Sequence, residues 1–508
     1  MRDSPPQLEQ TGRSQLDSLR LLASARALAS NRAVLVSVTE RVRTVDPLAA
    51  IETLSRASIS DAHVRELIEQ GRMYWACPND GFALAGVGAV ATFAPDGADR
   101  FASVDEEWRS LLDCAVIDDP SGSTAGVGPI LMGGFAFDPH TRQSGQWNGF
   151  SSAHMIVPRL LLTSTMGKCW ATISLLVGAD GNPDVSPESL SELLQAALEL
   201  SEPTHNACPD IDASQGELSF SESQSAAQWR AIVGTAVEDI RAGAFQKVVL
   251  ARDVHATAPH DLDVFATLRH LRATHRNSFV FGYWRGDSAF VGATPERLVR
   301  LDGREVRASS LAGTEKRGAT PDEDAALSAL LLASAKDRAE HAAVRDALYY
   351  SLSEISDEVI AADAPSLLTL PNVHHLHTPV RAHLREGHSL LDVVARLHPT
   401  PAVGGTPREA ALGFIRNHEQ LDRGWYAAPI GWIGRESGEF AVALRSAVIA
   451  GSEATLFAGC GIMADSDPEL EFTESTLKLR PMQSALAAAV AEAHSDFTEI
   501  GATSDASR

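Results

Sequence analysis

Glu471, Glu474 and Lys478 in PELEFTESTLK (468–478) fall at i, i+3 and i+7, so a helix there carries two carboxylates and an ammonium on one face. Such a face is either an exposed salt-bridge surface or a seat for a hard cation. Mg2+ usually takes only one or two protein carboxylates and fills its shell with water and substrate oxygen. Another carboxylate, Glu340, precedes an apolar stripe at helical spacing (Val344, Leu348, Leu352, Ile355) in KDRAEHAAVRDALYYSLSEI (336–355). At the head of a buried stripe it must be paired, protonated or metal-bound, unless it lies past the buried part and faces water.

Two cations sit in strand-like runs. FQKVVLARDV (245–254) puts Lys247 on one face with Val249 and Ala251, and Arg252 on the other. An inward lysine beside a metal would lose proton affinity and could serve as a general base; at a strand edge it would instead snorkel to water. FAVALRSAVI (440–449) reads as one strand, turning at AGSE into a return strand. On period two, Arg445 shares a face with Ala441, Ala443 and Ala447, small neighbours that leave room to bind a carboxylate; the alternative is an exposed sheet face. The return strand ends in AGCGIM (458–463), where Gly459 and Gly461 can bring backbone N–H groups to an anion. The stretch from His374 to His398 holds six histidines, but HHLH does not space two ligands well on one element and no HExxH is present, so zinc is disfavoured.

The elements that must position these groups can be read coarsely. A tail and short helix occupy 1–30, and strands begin at AVLVSV (33–38). A helix is expected near 60–70 and another near 187–200. GFALAGVGAVATF (81–93) reads as a Gly-rich hairpin, and LLLTSTMGKCWATISLLV (160–177) as a hairpin turning at Met166-Gly167. Residues 201–217 are polar and contain proline, and read as a linker. The division expected is a tail (1–30), an N-terminal α+β half (31–217), a catalytic region (218–492) and a C-terminal tail (493–508). Paired strands among helices suggest a large mixed α+β fold, not a doubly wound sheet; no Gly-rich phosphate loop of either common type occurs.

Composition narrows the classes. The chain has 508 residues and a formal net charge of −23, which disfavours nucleic acid. It also poses a problem: a small anionic substrate would need a local positive site. Five cysteines with no CxxC argue against disulfides and thiolate zinc, and fit a reducing cytoplasm. The N-terminus lacks a secretory h-region, and no apolar run is long enough to span a membrane.

Nine blocks in order resemble the chorismate-binding enzymes, most closely the isochorismate synthases. Among them are KVVLAR (247–252), GATPERLVRL (292–301), SAKDRAEH (334–341), HHLHTPV (374–380), LHPTPAVGG (397–405), RGWYAAPIGW (423–432) and the run from AGCGIM to STLK (458–478). The resemblance is strong from about 218 to 485 and weaker before. It implies an α+β fold of the anthranilate synthase component I type, a large mixed or antiparallel β-sheet sandwich flanked by helices. It implies Mg2+ held by Glu340 and Glu474, with Glu471 assisting. Lys247 would be the base that activates water for attack at C2, and Glu296 the acid for the departing C4 hydroxyl. Arg445, Gly459, Gly461, Lys478, His375 and Ala402 would bind substrate. Lys247, and Ala402 where ammonia-using relatives carry Thr, favour a water nucleophile and no glutaminase subunit. The expected protein is a monomeric isomerase of menaquinone or siderophore biosynthesis. Salicylate synthase, which also eliminates pyruvate, and an aminating component I are the alternatives. Cys460, in place of the commoner Ala, suggests sensitivity to oxidation.

Overall fold

The structure, a computed structural model, describes residues 8–56, 62–140, 145–199, 218–369 and 373–505. The expected linker, 201–217, lies outside them. Two large sheets dominate the rest. The larger has 13 strands and the smaller 10. In the larger, the Lys247–Thr257 strand lies between the edge strand Ser219–Glu222 and Glu453–Ile462. Ser446–Ala450, Ser288–Thr294 and Phe279–Arg285 follow, and the last pairs with Arg72–Cys77 from the first half of the chain. In the smaller, Pro429–Ile433 pairs with Leu131–Phe135, with Gly431 opposite Gly133. Strands from both sides of residue 217 thus share each sheet. Named neighbours are antiparallel except Val34–Val42 with Val116–Asp118.

Apolar strands build one core common to both sheets. Trp75, Phe281 and Phe290 of the larger sheet cluster with Met132, Phe135, Trp432 and Phe440 of the smaller. Several strands are buried along their whole length, as in Lys247–Ala256, where only His255 is partly exposed. The outer face of the larger sheet is covered by helices, among them Val264–Thr274 and the long helix Pro468–Asp505, through Leu268, Leu271, Leu479, Met482 and Leu486.

Several local expectations hold. Leu160–Thr165 and Lys168–Val177 form a hairpin, with Met166 and Gly167 both at positive φ as a two-residue turn requires. Helices cover Ala62–Glu69 and Pro187–Glu199. Others need correction. The N-terminal helix is not short: it spans Leu8–Ser30 because Leu16, Ala23 and Ala27 make a stripe that packs with Val34, Val36 and Leu175. The C-terminal tail is helical through Asp505.

Residues 81–93 are not a hairpin. Phe82–Val87 belongs to the larger sheet and Ala91–Phe93 to the smaller, and the chain changes sheets at Gly88. FAVALRSAVI is likewise not one strand. Ser437–Val442 lies in the smaller sheet and Ser446–Ala450 in the larger. Arg445 sits in the crossover with φ 50°, so the period-two face drawn through Ala441, Ala443 and Ala447 does not exist.

Gly424 shows how tightly the core is closed. Its φ is 47°, and a Cβ there would lie 2.1 Å from the Trp147 ring. Trp147 stacks on Phe457 and donates its indole N–H to the Asp422 carbonyl. Gly424→Ala should therefore cost about 2–3 kcal/mol through overpacking and strain, read as a lower midpoint in denaturant unfolding.

Candidate active site

The site forms where a two-stranded ribbon leaves one sheet for the other. Ser288–Thr294 pairs with Ser446–Ala450 in the larger sheet. Their continuations, Arg297–Asp302 and Ser437–Val442, pair in the smaller. Glu296 occupies one crossover and Arg445 the other. Two backbone bonds tie the crossovers together: Val442 N–H to the Glu296 carbonyl at 3.0 Å, and Ala293 N–H to the Arg445 carbonyl at 3.2 Å. The ribbon geometry alone brings a carboxyl and a guanidinium to one seam.

Burial sets the character of both. Desolvation pushes the Glu296 carboxyl up to about 7, against the pull of Arg445, Lys247 and Lys478, in that order. Desolvation lowers the proton affinity of the Arg445 guanidinium, while Tyr426, Glu296 and Glu474 oppose it. Among the described residues no carboxylate comes within ion-pair distance of Arg445. A half-buried guanidinium without a paired anion favours an incoming carboxylate.

Lys247 begins its strand with a side chain only 9% exposed, and its Nζ lies 2.5 Å from Oε1 of Glu340. Glu340 therefore does not simply face water; the stripe behind it, Val344 to Ile355, is buried as expected. Gly461 and Gly459 stand opposite Val249 and Ala251 in the ladder. A Cβ on Gly461 would lie 2.8 Å from Cε of Lys247, and one on Gly459 would crowd the Tyr426 hydroxyl at 3.2 Å. These glycines clear space for the lysine and the tyrosine.

Helix Pro468–Asp505 supplies Glu471, Glu474 and Lys478. Lys478 bridges Glu474 at 2.6 Å and donates to the Gly459 carbonyl at 3.0 Å. Glu471 accepts from the Ser466 hydroxyl; desolvation raises its carboxyl, and repulsion from Glu474 adds to the rise. A divalent cation beside that pair would offset the repulsion, so these hard oxygen donors fit Mg2+. Among the described residues no three acidic, histidine or cysteine side chains converge as a ready-made cage.

His375 is held neutral, near 4, first by desolvation and then by Arg445 and Lys478 among its neighbours. It can exchange a hydrogen bond but adds no charge. Ala402 lies in a turn closed by the Val403 and Gly404 N–H groups on the Thr400 carbonyl; the Val249 N–H fastens Gly404 to the lysine strand. Cys460 is buried and its thiol is raised well above its usual value by desolvation, which disfavours the thiolate. A cavity of about 280 Å³ adjoins Glu296, lined also by Asn79, Arg276, Arg297, Ser309 and His377.

Contacts join Lys247 to Glu340 and Lys478 to Glu474 and Gly459, and Glu296 lies in the field of Arg445, Lys247 and Lys478; Arg252 turns away to Glu222, Ser475 and Thr476. Tyr426 was missed. Its signal was the block RGWYAAPIGW, read as a whole and not residue by residue.

The family model for chorismate binding enzymes matches residues 21–487. The chain belongs to the chorismate-binding enzyme family. This family member is 35% identical over 462 residues to isochorismate synthase MenF of Bacillus subtilis, covering 90% of this chain and 94% of that protein. It is 37% identical over 471 residues to the salicylate biosynthesis isochorismate synthase of Pseudomonas aeruginosa, covering 92% and 93%. Its fold matches the menaquinone-specific isochorismate synthase MenF of Escherichia coli, with a TM-score of 0.71 and 24% identity over 93% of this chain and all of that one.

The raised carboxyl of this chorismate-binding enzyme has a stability signature. Folding lifts Glu296 from 4.5 to about 7, so ionising it in the folded protein costs about 3 kcal/mol more than in the unfolded chain. That penalty is absent below about pH 4.5, grows as pH rises, and is complete above about pH 7. Glu296→Gln should therefore gain stability relative to wild type between acid pH and about pH 8, measured by denaturant unfolding. An unchanged difference across that range would refute the raised value.

Proposed function

We propose that this protein is an isochorismate synthase, converting chorismate reversibly to isochorismate with Mg2+. The observation that carries the reading is the half-buried Glu296, balanced between its acid and base forms within the field of Arg445, Lys247 and Lys478. An acid near neutrality with an amine within its electrostatic reach suits removal of one hydroxyl and addition of another.

In this reading the unprotonated Lys247 amine takes a proton from water as its oxygen bonds to C2. The ring double bond shifts, and the C4–O bond breaks. Glu296 gives its proton to that oxygen, which leaves as water. Proton exchange with solvent then resets the two groups. In the structure Lys247 Nζ meets Oε1 of Glu340. Arg445 holds the enolpyruvyl carboxylate, with the Gly459–Gly461 backbone beside it, and Lys478, neutral His375 and the Ala402 turn bound the ring. Glu340 and Glu474, with Glu471 behind them, would hold Mg2+, which supplies charge neutralisation at the ring carboxylate and polarises the conjugated system.

One chain supplies every group named, so a monomer without a glutaminase subunit is competent. The product would feed menaquinone or siderophore biosynthesis. Among the described residues no helix is long and apolar enough to cross a membrane, and a cytoplasmic setting fits the unpaired cysteines.

The purified protein with chorismate and Mg2+ should form isochorismate, release no pyruvate, and gain no amino product from ammonia. Chelation should stop turnover, and Mg2+ should restore it. Stoichiometric pyruvate would instead identify a salicylate synthase. Lys247→Ala and Glu296→Gln should each lose roughly 10²–10⁴-fold in kcat while remaining folded by circular dichroism. Wild-type turnover in either would overturn its role.

A further inference from the structure

The lysine strand has a gap along one edge. Its other edge pairs with Glu453–Ile462 from Val248 to Thr257. On the open side, Gly405–Thr406 pairs with Lys247 and Val248, and Ser219–Glu222 pairs from Val254 onward. Between these two partners, the strand's outward groups have no strand to meet. Buried backbone groups left unpaired are costly.

A buried ion pair fills the gap. Glu419, just past the end of helix Arg408–His418, and Arg423 are four residues apart, and each is 4% exposed. A Glu419 carboxylate oxygen accepts from the Ala251 N–H at 2.8 Å. The Arg423 guanidinium donates to the Val249 carbonyl at 2.7 Å, to the Val403 carbonyl at 3.0 Å, and to Glu419. Its flat face lies 4.3 Å from the Phe137 ring centre. The two side chains thus act as a short substitute strand. They also reach the other parts of the site. Val403 follows Ala402, and the Arg423 carbonyl accepts from the Tyr426 N–H. Just beyond, Ala427 and Ala428 bond through their backbones with Ala443, beside the Arg445 crossover.

An isolated buried ion pair is a poor source of stability, because desolvating two charges offsets most of their attraction. This pair instead has three backbone bonds at the base of the cleft. We propose that Glu419 and Arg423 are positioning residues for catalysis: they fix the backbone that carries Lys247 and lock it to the Ala402 turn. Neither is proposed to touch substrate. The inference rests on the proposed function for its kinetic consequence, but not for its structural one.

The test uses the full chain carrying Arg423→Lys, which keeps the charge and loses the fork, and Glu419→Gln, which keeps an acceptor for Ala251. Either soluble variant suffices. In hydrogen exchange read by mass spectrometry, the segment around Val249–Ala251 should exchange at least tenfold faster than in wild type, while the outer helix Val264–Thr274 stays unchanged. With chorismate and Mg2+, kcat should fall roughly 10–100-fold, the scale of a small misplacement of a reacting group, with KM within about threefold. Leu486→Ala, in the helix layer on the far side of the larger sheet, is the control: it should lower the unfolding midpoint and leave kcat intact. Unchanged exchange at Val249–Ala251 in a folded variant overturns the proposal. So does a kcat per folded molecule equal to wild type. If wild type itself does not turn over chorismate, the proposed function fails, and the exchange result alone decides the fastening.

Discussion

The charged groups at the seam between the two sheets are half-buried, and partial loss of hydration governs how they behave. The same loss of hydration that raises Glu296 also lowers His375 and Arg445. A carboxyl in water would be ionised throughout the neutral range and of little use as an acid. Here it is held near the crossing point by opposing influences, burial on one side and three cations on the other. The protein as a whole carries a charge of −23, yet Arg445, Lys247 and Lys478 gather in one place. Lys247 and Lys478 are already matched by Glu340 and Glu474, so an anion entering the seam finds its free positive partner in Arg445.

The architecture makes that placement economical. Glu296 and Arg445 are far apart in sequence, but each occupies the crossover of one strand of a shared ribbon. The backbone bonds between the crossovers fix their separation without using either side chain. A comparable ribbon crosses in the first half of the chain. There, Phe82–Val87 with Leu160–Thr165 in the larger sheet continues as Ala91–Phe93 with Ala153–Val157 in the smaller. The catalytic candidates are at the second seam only; the first has Gly88 and a buried Arg159 already paired with Asp184.

Much of this was legible in the sequence. Helical spacing exposed Glu471, Glu474 and Lys478, and the apolar stripe pointed to Glu340. Ordered blocks of motif carried the family and the remaining roles. What periodicity could not show was where the chain changes sheets. FAVALRSAVI alternates well enough to pass for one strand, yet Arg445 lies in a left-handed break within it. The same error turned Phe82–Phe93 into a hairpin. Crossovers use ordinary strand-forming residues on both sides, and only long-range pairing distinguishes them from continuous strands. Glu419 and Arg423 were invisible for a related reason. Opposite charges four apart near a helix end usually make a solvated pair, and only the gap in a distant strand gives this pair its task.

The order of the larger sheet has a consequence for synthesis on the ribosome. The lysine strand leaves the tunnel near the middle of translation, but the neighbour that pairs with it along most of its length, Glu453–Ile462, is among the last strands made. Helix Pro468–Asp505, which carries three of the candidate side chains, comes later still. Until then a long apolar edge has no partner, and such edges invite association with other chains. The nascent protein must therefore be shielded for some two hundred residues of elongation, and the cleft closes only after helix Pro468–Asp505 has been made.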